Sequence, residues 1–69
     1  MHRGTVTTFD EYVGLGEVVV RSGDLDVRYP FHCVEIADGS RTIEIGTEVD
    51  FDVIVKFGAE EASQLRPAG

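Results

Sequence analysis

Cysteine, proline, tryptophan and positive charge are all scarce in this chain of 69 residues. It has one cysteine, two prolines, no tryptophan, and six lysines and arginines against thirteen aspartates and glutamates. The lone Cys33 excludes an internal disulfide and fits a reducing compartment. No apolar run is long enough to span a membrane, and the polar opening Met1-His2-Arg3-Gly4 carries no apolar stretch of the signal-peptide kind. The expectation is a cytoplasmic protein with no membrane partner. A formal net charge of −7 works against long-range attraction to nucleic acid, although acidity also serves solubility alone. A chain this short buries only about 60% of its unfolded surface, so residues 1–69 are read as one domain folding on packing alone.

Several chemistries lack their residue patterns. His32 and Cys33 are adjacent and the other histidine is His2, which gives no ligand spacing for zinc. As nucleophile and base, His32 and Cys33 would point apart in extended chain, and no oxyanion motif accompanies them; a structural cysteine is the simpler reading. Gly14 and Gly16 are not completed to GxGxxG, and no helix follows. Asp50 and Asp52 share a strand face of the solvated kind, and Glu60-Glu61 is an exposed turn. The expectation is a protein that is not an enzyme and needs no metal or cofactor.

What is present is β-structure. From Arg3 to Phe9 the chain is rich in threonine and valine without a helical period, which predicts a first strand. Asp10–Val13 is a loop, and Leu15–Arg21 a second strand, with Leu15, Glu17 and Val19 on one face and Gly16, Val18 and Val20 on the other. Gly16 leaves a gap that lets a neighbouring strand approach closely. Ser22-Gly23-Asp24 is a turn, and Leu25–Phe31 a third strand that must end or lie at an edge at Pro30, which has no N–H to donate. Phe31–Ile36 reads as one turn of helix or an irregular connection, Asp38–Arg41 as a turn, and Thr42–Ile45 as an apolar stub.

The strongest period lies in 48–57, where Val49, Phe51, Val53, Val55 and Phe57 alternate with mostly polar residues. This predicts a half-buried fourth strand with five apolar positions on one face. Gly58–Glu61 is the expected turn, and Ala62–Arg66 a short last strand ended by Pro67. Val6, Val18, Val20, Val27, Val49, Phe51 and Val53 are the expected core. Five short strands in so small a domain predict an all-β, five-stranded antiparallel barrel of the OB type, because closure removes edges that a two-sheet sandwich of this size leaves bare.

The order and spacing of Gly4-Thr5-Val6, Phe9, Gly14-Leu15-Gly16, Asp26-Val27, Phe31, Asp38-Gly39, Gly46, Val49, Phe51 and Pro67 resemble bacterial cold-shock proteins over almost the whole chain. The resemblance implies a five-stranded OB barrel that binds single-stranded RNA or DNA through motifs on strands two and three. The first motif, Lys-Gly-Phe-Gly-Phe-Ile in that family, stands here as Val13-Gly14-Leu15-Gly16-Glu17-Val18. The second, roughly Val-Phe-Val-His-Phe, stands as Val27-Arg28-Tyr29-Pro30-Phe31.

The departures fall on the binding chemistry, which needs aromatic rings for stacking and cations for phosphates. Thr8, Leu15, Glu17, Arg28, Pro30 and Ser40 stand where the family carries rings, and Thr7 and Val13 where it carries lysines. Three stacks lost at about 1 kcal/mol each lower affinity more than a hundredfold. Two readings stay open. One is a single-stranded nucleic-acid-binding module, weak or altered in specificity, with Phe9, Tyr12, Leu15, Arg28, Phe31, His32 and Arg41 as its residues. The other is an acidic protein-interaction module using Tyr12, Leu15, Pro30 and Phe31 as an apolar patch, on a monomer or weak dimer. On either reading Glu17 and Arg28 are expected to form a cross-strand ion pair.

Overall fold

The computed structural model describes residues 1–68. Five strands, β1 (His2–Asp10), β2 (Leu15–Ser22), β3 (Leu25–His32), β4 (Glu48–Lys56) and β5 (Ala59–Pro67), form one antiparallel sheet in the order β3-β2-β1-β4-β5. One 3-10 turn, Cys33–Glu35, follows β3. β3 is an edge strand, so the missing N–H of Pro30 costs little there. The two outer strands approach each other, and a single parallel bridge, Ile36 with Leu65, joins the segment after β3 to β5. Among the described residues, no ladder closes the sheet.

Two glycines allow the strands to cross closely. A Cβ on Gly16 would lie 2.6 Å from the ring of Phe31 and from the Thr8 carbonyl, and one on Gly4 would lie 2.6 Å from the Val19 carbonyl. Any side chain there would displace backbone. β1 also bulges: Val6 faces Val18 while Thr8 faces Glu17, so Thr7 is an extra residue. Past the bulge the strand changes parity. Thr8 therefore lies on the outer face, and Phe9, opposite Gly16, on the inner one.

The core is Val6, Val18, Phe31, Ile36, Val49, Phe51, Ala62 and Leu65, with Phe9, Val20, Tyr29, Cys33, Ile43 and Val53 half-buried against it. Each large apolar side chain so buried contributes about 1.5–3 kcal/mol. Two expectations are corrected. Val27, on the edge strand, is 38% exposed and is no core residue, whereas Phe31 fills the space above Gly16.

The apolar face of β4 is shorter than its sequence period. Val49 and Phe51 are buried and Val53 half-buried, but Val55 and Phe57 are exposed. The strand stops at Lys56, and Phe57-Gly58 makes a two-residue turn with φ of 52° and 79°. β5 thus begins at Ala59, and the expected turn residues Glu60 and Glu61 are strand. Positive φ at both central positions is the geometry that matches strand twist in a tight hairpin, and phenylalanine is a poor signal for it. A second bulge follows, where Phe51 faces both Gln64 (φ 55°) and Leu65. Ser63 and Gln64 there bond to the Glu35 carboxylate, Ser63 Oγ at 2.7 Å, which ties the 3-10 turn to β5. The Thr42–Ile45 stub forms no strand, though Ile43 packs on the core.

Candidate functional site

The outer face of β1, β2 and β3 is set by register. Cross-strand rows run Asp10–Leu15–His32, Thr8–Glu17–Pro30 and Thr5–Val19–Arg28, with Arg21–Asp26 beyond them. Leu15, Arg28 and His32 therefore share one surface, Leu15 being 49% exposed and the other two exposed. Pro30 lies between His32 and Arg28 along β3.

Tyr12 is presented at the end of this surface by the loop from β1 to β2. The Asp10 carboxylate accepts bonds from the Tyr12 and Val13 N–H groups, at 2.9 and 3.4 Å, and the Asp10 carbonyl accepts one from Gly14 at 2.8 Å. Gly14 takes a φ of 71°, and its carbonyl accepts the Cys33 N–H at 2.7 Å. The loop is thus pinned at both ends while the Tyr12 ring is fully exposed. Asp10 was not among the candidate residues. Its place before a turn was the available signal, since aspartate caps the N–H two residues on.

Two candidates leave the surface. Phe31 is 1% exposed and belongs to the core, so it cannot stack a ligand. Phe9 is turned inward by the bulge and packs its ring parallel to that of Phe31, centroids 6.0 Å apart. One flank of Phe9 remains open to a groove shared with Glu11 and Thr42–Ile45. Arg41 is exposed on the connection from β3 to β4, with a φ of 61°, and belongs to none of the rows.

The cations divide into engaged and free. Arg3 is held by Asp50, Nε to Oδ1 at 2.8 Å and Nη2 to Oδ2 at 3.3 Å. That pairing raises the Arg3 pKa and holds the Asp50 carboxyl below its ordinary value. Arg21 stands 4.0 Å from Asp26 and Arg66 3.9 Å from Asp52. Among the described residues, Arg28 and Arg41 have no acidic partner within bonding distance. The ion pair expected between Glu17 and Arg28 is not formed. The two share a face, but Pro30 and Val19 take the directly opposed places, and an exposed diagonal pair gains little by closing.

Among the described residues, no group of three histidine, cysteine or acidic side chains is placed to hold a metal ion. Among the described residues, no helix is long and apolar enough to cross a membrane. No family model matches the chain, and no curated protein matches it.

Proposed function

We propose that the chain is a small OB-type barrel of the cold-shock kind, and that its outer β1–β2–β3 face is a reduced surface for single-stranded RNA or DNA. The central position of β1, its bulge, the close crossings at Gly4 and Gly16 and the Ile36–Leu65 bridge support the barrel. The observation that carries the function is the register, which sets Leu15 beside His32 and leaves unpaired Arg28 on the same face. Tyr12 and His32 offer rings for one or two bases, Leu15 and Pro30 an apolar floor, and Arg28 a phosphate contact.

With two stacks at about 1–3 kcal/mol each and one free arginine against a net charge of −7, binding is weak, about 100 µM or weaker. The protein on this reading is cytoplasmic, a monomer or weak dimer, needs no cofactor and performs no catalysis. The test is a titration of a fluorescent single-stranded oligonucleotide pool at two salt concentrations. Weak binding that declines as salt rises is expected, whereas salt-independent binding removes the phosphate contact from the account.

A second reading has one observation in its favour. Leu15 and Pro30 stand exposed in neighbouring rows, with Glu17 opposite Pro30, Arg28 two residues back along β3 and exposed Tyr12 in the adjoining loop, a composition that suits a protein partner as well as bases. Loss of oligonucleotide binding at all salt concentrations would transfer the face to that role.

A further inference from the structure

A groove lies apart from the outer face, between the end of β1 and the connection that leads into β4. Its walls are Phe9 and Glu11 on one side and Thr42, Ile43, Glu44 and Ile45 on the other. Its apolar lining is Phe9 and Ile43, both half-buried, and the exposed Ile45, and both ionisable side chains of the lining are carboxylates. Arg41, one residue beyond the lining, is the nearest cation in sequence.

Hydrogen bonds hold the connection in place. Gly46 N–H donates to the Val6 carbonyl at 2.8 Å, Thr47 Oγ1 to the Glu44 carbonyl at 2.7 Å, and Ser40 Oγ to the Thr42 carbonyl at 2.9 Å. A wall already ordered lowers the entropic cost of docking.

Charge sorts the possible occupants. Phosphates and anionic membranes are repelled by Glu11 and Glu44, and a second copy of the chain brings its own net charge of −7. A lining that combines three apolar side chains with two carboxylates complements a segment in which aliphatic side chains alternate with lysine or arginine. We propose that this groove docks such a basic, apolar peptide segment of a partner protein, its aliphatic side chains on Phe9, Ile43 and Ile45 and its cations against Glu11 and Glu44. The site is separate from the nucleic-acid face and stands whether or not that face binds a strand.

The test uses a fluorescent eight-residue peptide of alternating lysine and leucine, titrated against the full chain and against three variants. Glu11→Gln with Glu44→Gln removes two charges at the groove, and Glu60→Gln with Glu61→Gln removes two outside it. Ile45→Ser removes exposed apolar lining, and circular dichroism confirms that each variant is folded. The groove double variant and Ile45→Ser are expected to weaken binding about fivefold or more relative to the parent, and the control double variant less than about twofold. Equal weakening by both double variants would overturn the proposal in favour of a diffuse acidic field. So would the absence of saturable binding by the parent at about 1 mM peptide.

Discussion

The rings of Phe9 and Phe31 lie parallel, with centroids 6.0 Å apart and planes 5° apart, on the inner side of the sheet. On the proposed cold-shock reading, Phe9 on β1 and Phe31 at the end of the second motif are the aromatics retained among the binding positions. In this fold they pack against each other and the core, so the rings left to a ligand are Tyr12 and His32. A surface built on so few rings acts weakly or acts on something other than a long single strand.

Core placement of Phe51 makes a direct stability prediction. Phe51 is fully buried between β1 and β5, with His2 stacked on it at 5.5 Å and Tyr29 tilted against it at 5.5 Å. Phe51→Ala should cost about 3–5 kcal/mol, against a total of roughly 3–10 kcal/mol for a domain of this size. In urea denaturation the variant is expected to be largely unfolded without denaturant, with Phe51→Leu folded at an intermediate midpoint. An unchanged midpoint for Phe51→Ala would contradict the assigned core.

Much of this arrangement could be read from the residues, and what could not has identifiable causes. The valine and threonine runs and the Gly23 turn marked β1 to β3, and Pro30 marked the edge. Parity within β2 put Glu17 and Gly16 on opposite faces, as the register has them, but gave no sign that Phe31 would fill the space above Gly16. The bulge at Thr7 left no such trace, because threonine reads equally well as paired or bulged, and one extra residue sufficed to turn Phe9 inward. Phe57 misled for a related reason. Its apolar period matched the strand, but the turn that ends β4 rests on its backbone φ and not on its side chain.

Relief of that backbone strain gives a second prediction. Phe57 is fully exposed and holds a φ of 52°, a conformation costing about 1–2 kcal/mol for an ordinary residue. Phe57→Asn creates the Asn-Gly pair that such a turn favours. It should gain about 1 kcal/mol, raising Tm by roughly 4–8 °C in thermal unfolding. A lower Tm would show that the exposed ring stabilises the hairpin.

Acid sensitivity follows from two carboxylates. Asp50 is lowered from its ordinary value of 3.8 by hydrogen bonds from Arg3, and Asp38 from the same value by the Ser40 N–H at 2.9 Å. Below about pH 4 the unfolded chain binds more protons than the folded one. Their stabilisation is complete above the unfolded pKa and is lost as pH falls through the lower folded values. Asp38 is exposed, and the Asp50 side chain, 14% exposed, is paired with an exposed arginine, so the loss is small and reduced by salt. Arg3→Gln should make the fall in Tm between about pH 4.5 and 2.5 shallower while leaving the Asp38 share. An acid limb identical to the parent's would contradict the role given to the Arg3–Asp50 pair.

The central claim is that the outer face keeps the geometry of a strand-binding surface and is weak for want of rings. The triple change Leu15→Phe, Glu17→Phe, Arg28→Phe places three rings in the first three outer rows. It removes one acid and one base, so net charge stays at −7 (−7 + 1 − 1) and any gain comes from stacking. The decisive measurement is the affinity of the parent and the folded triple variant for a pyrimidine-rich single strand in physiological salt. The account predicts at least about a hundredfold tighter binding by the variant, from about 1 kcal/mol or more for each base. A folded variant that gains nothing would contradict it, as would a parent that already binds the strand at about 1 µM or tighter.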